Sequence, residues 1–556
     1  MKIIDPQPGP PWLTRGLETT LVACLLLGQV FFLAGVAARM SPAGDERTFY
    51  LYGHRILFEG SFERDDERMF NSKMPAQVIN VLPQYLGEKL KLWPFTRLSR
   101  NVGPVPPRAP HVAYLFWARL ALICLVPGFG LIFYLWARRL YGPLPGLVLL
   151  LLLAISPNLT AVWSLIVNDG LMAAGFLAAL FFCRRYTLKP TAGRLIAAGF
   201  FLGLAQLVKN TAVLLAIIVP VAWLLETWSR TWTELTQGRL RVVGRRILKA
   251  GGVLVAWLAI TLVVVNFGFG WQGFGASVKE VNPRSAPFRN LPPALQKLPL
   301  PLPYDFLNGL DQVIYDDQNS LTIGLVYLGG RANHMGWAAY YLKGLLWKLP
   351  LGLLGLLGLA LVLRWQRVLT PDDAWLIVPV AVIMLNMSLR TTVQLGVKYV
   401  LIIVPFLILF SGRVLVFRPN KWPVFHYAAV GLLAAWMIFS SLKAYPNYVS
   451  YFNETVNPNQ AYKYLAHYDL SAGQGRDRAI KWAKAQNPPV EVNPHPLKPG
   501  RVLVSGGALL ALHGEDRWRL LRESYQPQKV VAGEYFLFEI NNLTPRQWTL
   551  SPRTQP

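Results

Sequence analysis

Gly44-Asp45-Glu46-Arg47-Thr48-Phe49-Tyr50, then Gly53-His54-Arg55-Ile56-Leu57-Phe58-Glu59-Gly60, then Asn71-Ser72-Lys73-Met74-Pro75 follow directly on an apolar run of about 18 residues, Leu21 to Ala38, long enough to cross a bilayer. The run makes this a membrane chain, and it holds an acidic pair, Asp45-Glu46, at a membrane exit, where loops and helix ends can form a cleft facing lipid. A solvated loop with ordinary surface charge is the competing reading. Lys73 follows at a distance that lets the loop fold back and bring carboxylates and an ammonium together.

Composition agrees. Of 556 residues 53% are hydrophobic and only 15% charged, with a mean hydropathy of +0.34, outside the usual range of a soluble domain. The net charge of +26 suggests nucleic acid at first sight. Much of the excess lies in loops between apolar runs, the positive-inside pattern, and no basic cluster interleaved with stacking aromatics stands apart from a span. Cys24, Cys124 and Cys183 fall inside apolar runs and supply neither a disulfide framework nor metal-ligand spacing. The first run is long for a signal-peptide core and reads as a retained signal-anchor.

Taken in order, the apolar runs predict a polytopic α-helical membrane protein of about 11 spans. The first leads to an external loop, about 39–111. The next runs begin near Val112, after Pro143 and at Asn168-Asp169; Leu195 to Leu225 divides into two at Lys209-Asn210, because an isolated lysine at mid-bilayer is costly. Arg230, Arg239, Arg241, Arg245, Arg246 and Lys249 mark a cytoplasmic loop. A span from about Gly252 opens a second external loop, 270–340, and further runs carry Lys348, flank Arg390 to Lys398, and end near Ser441. Residues 1–443 form the membrane domain. Residues 444–556 form a small extracytoplasmic α/β domain, with a helix at Arg476 to Gln486 and strands at Arg501 to Val504 and Val530 to Ile540.

Asp45-Glu46-Arg47-x-x-Tyr50, Arg55-Ile56-Leu57-x-x-Gly60 and Ser72-Lys73-Met74-Pro75 resemble the first external loop of C-type membrane glycosyltransferases, in particular the protein O-mannosyltransferases and lipid A aminoarabinose transferases. Pro303-Tyr304-Asp305-Phe306-Leu307, Gly336-Trp337 with Tyr340-Tyr341, Lys348-Leu349-Pro350, Gly396-Val397-Lys398-Tyr399 and Tyr451-Phe452-Asn453-Glu454 extend the resemblance. Where that family often has Asp-Trp-Gly-Gln, this chain has Ser471-Ala472-Gly473-Gln474, so no role carries over there. The resemblance implies a sugar taken from a polyprenyl-phosphate donor and placed, with inversion, on an extracytoplasmic lipid, glycan or protein hydroxyl at a bacterial-type inner membrane.

A departing phosphate needs no strong acid, so one carboxylate base and cations on the phosphate are sufficient. Asp45 is the expected base, with Glu46 positioning substrate or Asp45. Lys73, Lys209, Lys348 and Lys398 are candidate phosphate ligands; the competing reading for each is a lysine snorkelling to the head groups. Arg47, Asn71, Asp169, His334 and Tyr399 are candidate supporting residues, Asp169 foremost as a helix cap. Asp45, Glu46 and Asp169 could gather a divalent cation, although no compact ligand motif calls for one. A transporter or flippase of a lipid-linked substrate, or a catalytically silent assembly factor with this fold, are the alternatives.

Overall fold

Each segment expected to cross the membrane is helical in the structure, a computed structural model that describes residues 2–3, 7–63, 73–93, 95, 110–319, 326–365, 368–370, 372–417, 419, 422–511 and 516–541. Among these, seven helices are individually long and apolar enough to span: Arg15–Ala37, Tyr114–Tyr141, Asn168–Leu188, Asn210–Thr236, Leu240–Gly268, Val397–Val416 and Pro423–Ala444. Two bent pairs raise the number to nine. Pro143–Ala154 meets Pro157–Trp163 at 58°, and Tyr340–Lys348 meets Leu351–Trp365 at 115°. Pro157 and Pro350 stand at the breaks, where proline removes a backbone donor and clashes with the preceding turn. The expected count of 11 is reached only with Ala192–Gln206 and Asp373–Leu389. Helices of that length extend about 22–26 Å, short of the roughly 30 Å hydrocarbon core.

Burial sorts these helices. Val397–Val416 is 83% buried and lies at the centre, while Leu240–Gly268 is only 11% buried and turns Leu248, Val255 and Phe267 outward, as a lipid-facing helix does. Lys398 sits in the first turn of the central helix, so a buried ammonium stands at one end of that helix. At the far end of Asn168–Leu188 a second polar network ties helices together. Asp372, fully buried, accepts from Trp136 Nε1 at 2.7 Å and Arg184 Nε at 2.6 Å; Arg184 also meets Glu226, which accepts from Trp375 Nε1 at 2.9 Å. Asp169 and Arg184 lie about 22 Å apart along that helix, so the two networks stand at opposite ends.

The first loop forms the helix Glu46–Glu59, closed by Gly60 in the left-handed conformation with its N–H on Ile56 O, and Val78–Lys89. The apolar clusters Ile56-Leu57-Phe58, Val78-Ile79 and Val81-Leu82 fall on these two helices. The second loop holds an amphipathic helix, Tyr304–Asn319, and a short hairpin, Val326–Leu328 with Arg331–Asn333, none of which the proline-rich sequence announced. The C-terminal helix is Arg476–Lys484, beside a four-stranded sheet ordered Glu491–Val492, Gly500–Ser505, Tyr535–Ile540, Lys529–Val531. The single strand expected over Val530 to Ile540 is thus two antiparallel strands. Ala532 and Gly533, at φ 52° and 83°, turn the chain between them, and Gly533 supplies a conformation that L side chains resist.

Candidate active site

The Asp45 loop is fixed from below by one arginine. Glu46 is fully buried and Arg119, from Tyr114–Tyr141, is 2% exposed. Arg119 Nε and Nη2 donate to Glu46 Oε1 and Oε2 at 2.8 and 2.6 Å. Its remaining donors go to Ala37, Met40 and Ser41 carbonyls at 2.8–2.9 Å. Glu46 also accepts the backbone N–H groups of Ala43 and Ile166 at 2.8 and 2.9 Å. A carboxylate has about four acceptor sites and a guanidinium five donors, so the pair is saturated. The two adjacent carboxylates therefore differ: Glu46 is locked into the scaffold, and Asp45 retains 30% side-chain exposure.

Asp45 Oδ2 receives Lys398 Nζ at 2.9 Å. Lys398 is aimed there by the entry to its helix, where Gly396 adopts φ +135° and Val397 N donates to both oxygens of Asp469 at 3.0 Å. A Cβ on Gly396 would lie 3.3 Å from the Asp469 carboxyl carbon, so glycine provides both the dihedral and the room. Burial pushes the Asp469 carboxyl above the usual carboxylate range, against the opposing pull of the Lys348 charge and the Val397 N–H. Lys398 Nζ also lies over the ring of Tyr468, 3.5 Å from its centroid.

Beside this pair lies a second. Lys209, in the turn between Ala192–Gln206 and the following helix, donates to Asp169 Oδ1 at 2.8 Å. Tyr399 joins the two pairs: Lys209 Nζ is 4.3 Å and Lys398 Nζ 5.6 Å from its ring centroid, within cation–π range. Asp169 does not cap its helix, whose N-cap is Val167; it orients the lysine. Lys348, at the 115° bend, is 4% exposed and donates to Val449 O and Asp469 O at 2.9 and 2.6 Å. Two of its three protons thus hold the C-terminal segment against the membrane domain.

The remaining expected residues are less central. Lys73 is buried before the short turn Pro75–Gln77, and the ammonium against Asp45 comes from Lys398 instead. The turn itself docks on the helix Asn168–Leu188 through a Gln77–Asn168 side-chain bond. Arg47 is half-buried in the first turn after Asp45, His334 is exposed beyond the hairpin, and Asn71 lies outside the described residues. Among the described residues no group of three or more His, Cys, Asp or Glu is placed to hold a metal. The gathering of Asp45, Glu46 and Asp169 around a cation does not occur, because each carboxylate faces its own cation: Lys398, Arg119 and Lys209.

Three features were not anticipated. Arg119 is a lone charge in an otherwise apolar run, a signal that would have found it. Tyr468 and Asp469 lie next to the departed Asp-Trp element and carry no motif. That element, Ser471 to Gln474, braces the site loop. Ser41 N and Gly44 N donate to Gln474 O and Ala472 O at 2.9 Å, pinning the stretch of chain that leads into Asp45. It is held in turn by buried Glu534, which accepts from Ser471 Oγ at 2.7 Å, Gly473 N at 3.1 Å and Gly475 N at 2.5 Å.

Residues 115–265, which carry Arg119, Asp169 and Lys209, match the family of dolichyl-phosphate-mannose-protein mannosyltransferases. No curated protein matches the chain. Among solved structures it is similar to ArnT from Cupriavidus metallidurans bound to undecaprenyl phosphate, at 12% identity over 94% of this chain and 98% of that one, with a TM-score of 0.45. It is also similar to the apo oligosaccharyltransferase of Archaeoglobus fulgidus, at 14% identity over 86% of this chain and 59% of that one, with a TM-score of 0.44. The chain is a multi-pass membrane protein that resembles the C-type membrane glycosyltransferases, with the family match confined to residues 115–265.

Proposed function

We propose that this chain transfers a sugar from a polyprenyl-phosphate donor to an acceptor hydroxyl, with Asp45 as general base. The observation that carries the reading is the Asp45–Lys398 pair at 2.9 Å. It sets a partly exposed carboxylate beside a buried ammonium, with a second ammonium, Lys209, against the same Tyr399 ring. Asp45 takes the proton of the acceptor hydroxyl, and its oxygen attacks the anomeric carbon from the side opposite the phosphate. The bond from that carbon to the phosphate oxygen breaks, its electrons stay on the departing phosphate, and the anomeric configuration inverts. The phosphate gains charge as it leaves, and Lys398 and Lys209 are placed to meet it, where preorganised cations contribute most. Lys398 thereby moves from the carboxylate that is neutralised to the phosphate that is charged. Glu46 serves by holding the loop through Arg119, and Lys348 by holding the C-terminal segment. The resemblance over residues 115–265 supports the same reaction class, and the site face is taken as extracytoplasmic from the basic loop at 230–249.

The test is product analysis: purified chain is incubated with a panel of polyprenyl-phosphate sugars and an extract of membrane acceptors. Release of polyprenyl phosphate with stoichiometric appearance of glycosylated acceptor from at least one donor is expected. Movement of intact donor across a sealed vesicle without cleavage would replace the reading with lipid-linked sugar transport.

A further inference from the structure

Lys348, Lys398, Tyr468, Asp469 and Asn158 line one cavity beneath the Asp45 loop. Two polar atoms at this cavity are buried without a hydrogen-bond partner: the Tyr468 hydroxyl and Asn158 Oδ1. Native proteins rarely leave such atoms unmet, and each one calls for a reason. The orientation of the Asn158 amide is fixed, because its nitrogen must face the Lys348 carbonyl it donates to at 2.8 Å. Tyr468 has its ring face under Lys398 Nζ and its backbone N–H on Leu395 O at 3.4 Å. The ring is therefore held, and the hydroxyl alone is left over. Burial drives that hydroxyl's pKa well above the usual phenol range, so at neutral pH it remains a donor.

We infer that Tyr468 is a ligand of the donor phosphate, its hydroxyl donating to a phosphate oxygen that Lys398 also meets, so that the C-terminal segment completes the binding site. The inference rests on the proposed transfer from a polyprenyl phosphate. The charge arithmetic favours a phosphate over a neutral group: the Lys348 ammonium is 4.0 Å from Asp469, and the Lys398 ammonium is set against Asp45. Once Asp45 accepts the acceptor's proton, the Lys398 charge is uncompensated, and an anion beside Tyr468 restores the balance. A phosphate also suits the Lys398 ammonium and the protonated Tyr468 phenol, since both are donors that need an acceptor. Asn158 Oδ1, an acceptor on the same cavity, fits a hydroxyl of the attached sugar.

The experiment measures binding to the purified full-length chain in nanodiscs, with two probes: a polyprenyl phosphate without sugar, and the matching polyprenol. Tyr468→Phe keeps the ring beneath Lys398 and removes only the hydroxyl. Loss of a hydrogen bond to a charged group should raise the Kd for polyprenyl phosphate about tenfold or more and leave the polyprenol Kd unchanged. Thermal unfolding of Tyr468→Phe without ligand should match that of the parent, and the stabilisation the phosphate probe gives should shrink. Unchanged affinity for the phosphate overturns the assignment of Tyr468 and leaves the transferase reading standing. Equal loss for both probes also overturns it, because the hydroxyl would then not be reading the phosphate. Parent chain that binds no polyprenyl phosphate would remove the transferase reading and the Tyr468 inference together.

Discussion

Replacing Arg119 with methionine should unfold the Asp45 loop locally and destabilise the whole protein. The arginine makes five hydrogen bonds, two to Glu46 and three to the Ala37, Met40 and Ser41 carbonyls. Arg119→Met fills a similar volume and supplies none of them. Glu46 would be left fully buried with only the Ala43 and Ile166 N–H groups against its charge. Removing one partner of a buried pair costs about 3–5 kcal/mol, because the other charge stays uncompensated. Thermal unfolding in detergent, followed by gel filtration, should show a clear fall in midpoint, and turnover should fall because Asp45 begins the helix that Glu46 anchors. Glu46→Gln should show the same pattern, with lost stability and lost turnover together. A Glu46→Gln variant as stable as the parent but slow in turnover would refute the scaffold role and return Glu46 to the reacting groups.

Three further outcomes are expected. Lys398→Met removes the ammonium facing Asp45 and, with it, a charge-assisted contact worth about 1.5–3 kcal/mol; the donor KM should rise about ten- to a hundredfold, and unchanged donor kinetics would take Lys398 out of the phosphate site. Asp316, buried in the helix Tyr304–Asn319 with Oδ2 unpartnered, has its pKa pushed up to about 6 by burial. The folded state then holds the proton more tightly than the unfolded one, so stability falls as pH rises from about 4 to about 6. Asp316→Asn should therefore stabilise the chain by up to about 3 kcal/mol at pH 7.5 and by little at pH 4, and an effect of the opposite sign in denaturation at pH 7.5 would contradict it. In a chain cleared of its native cysteines, Met335→Cys should react with an impermeant thiol reagent in intact cells while Ser229→Cys is protected; both residues are exposed, and the reverse pattern would invert the proposed orientation.

The helices were legible because apolar length and interrupting charge are local signals. Lys209-Asn210 marked the break between Ala192–Gln206 and the next helix, whereas the bends at Pro157 and Pro350 emerged only with the structure. Asp45 was legible from its place after the first span. Its partner was not, since Lys398 lies 353 positions away while Lys73 offered a cation nearer in sequence. Glu46 looked like half of a reacting pair because sequence shows adjacency and hides burial. Its true partner, Arg119, is 73 positions on. Tyr468 and Glu534 were invisible for a different reason: a tyrosine in a loop and a glutamate in a turn acquire meaning only when the C-terminal segment folds back onto Ser41 and Gly44. The Tyr304–Asn319 helix was hidden by the prolines that precede it.

The central claim is that Asp45 is the base, and Asp45→Asn tests it most directly. The substitution keeps the side chain's size and much of its hydrogen bonding while removing its basicity. Turnover with a saturating polyprenyl-phosphate sugar should fall by about 10²–10⁴, the usual contribution of a general base, while binding of the polyprenyl phosphate itself is retained or tightened, because Lys398 and Lys209 remain and Lys398 no longer faces a charged carboxylate. Asp45→Asn turnover equal to that of the parent under these conditions would contradict the account.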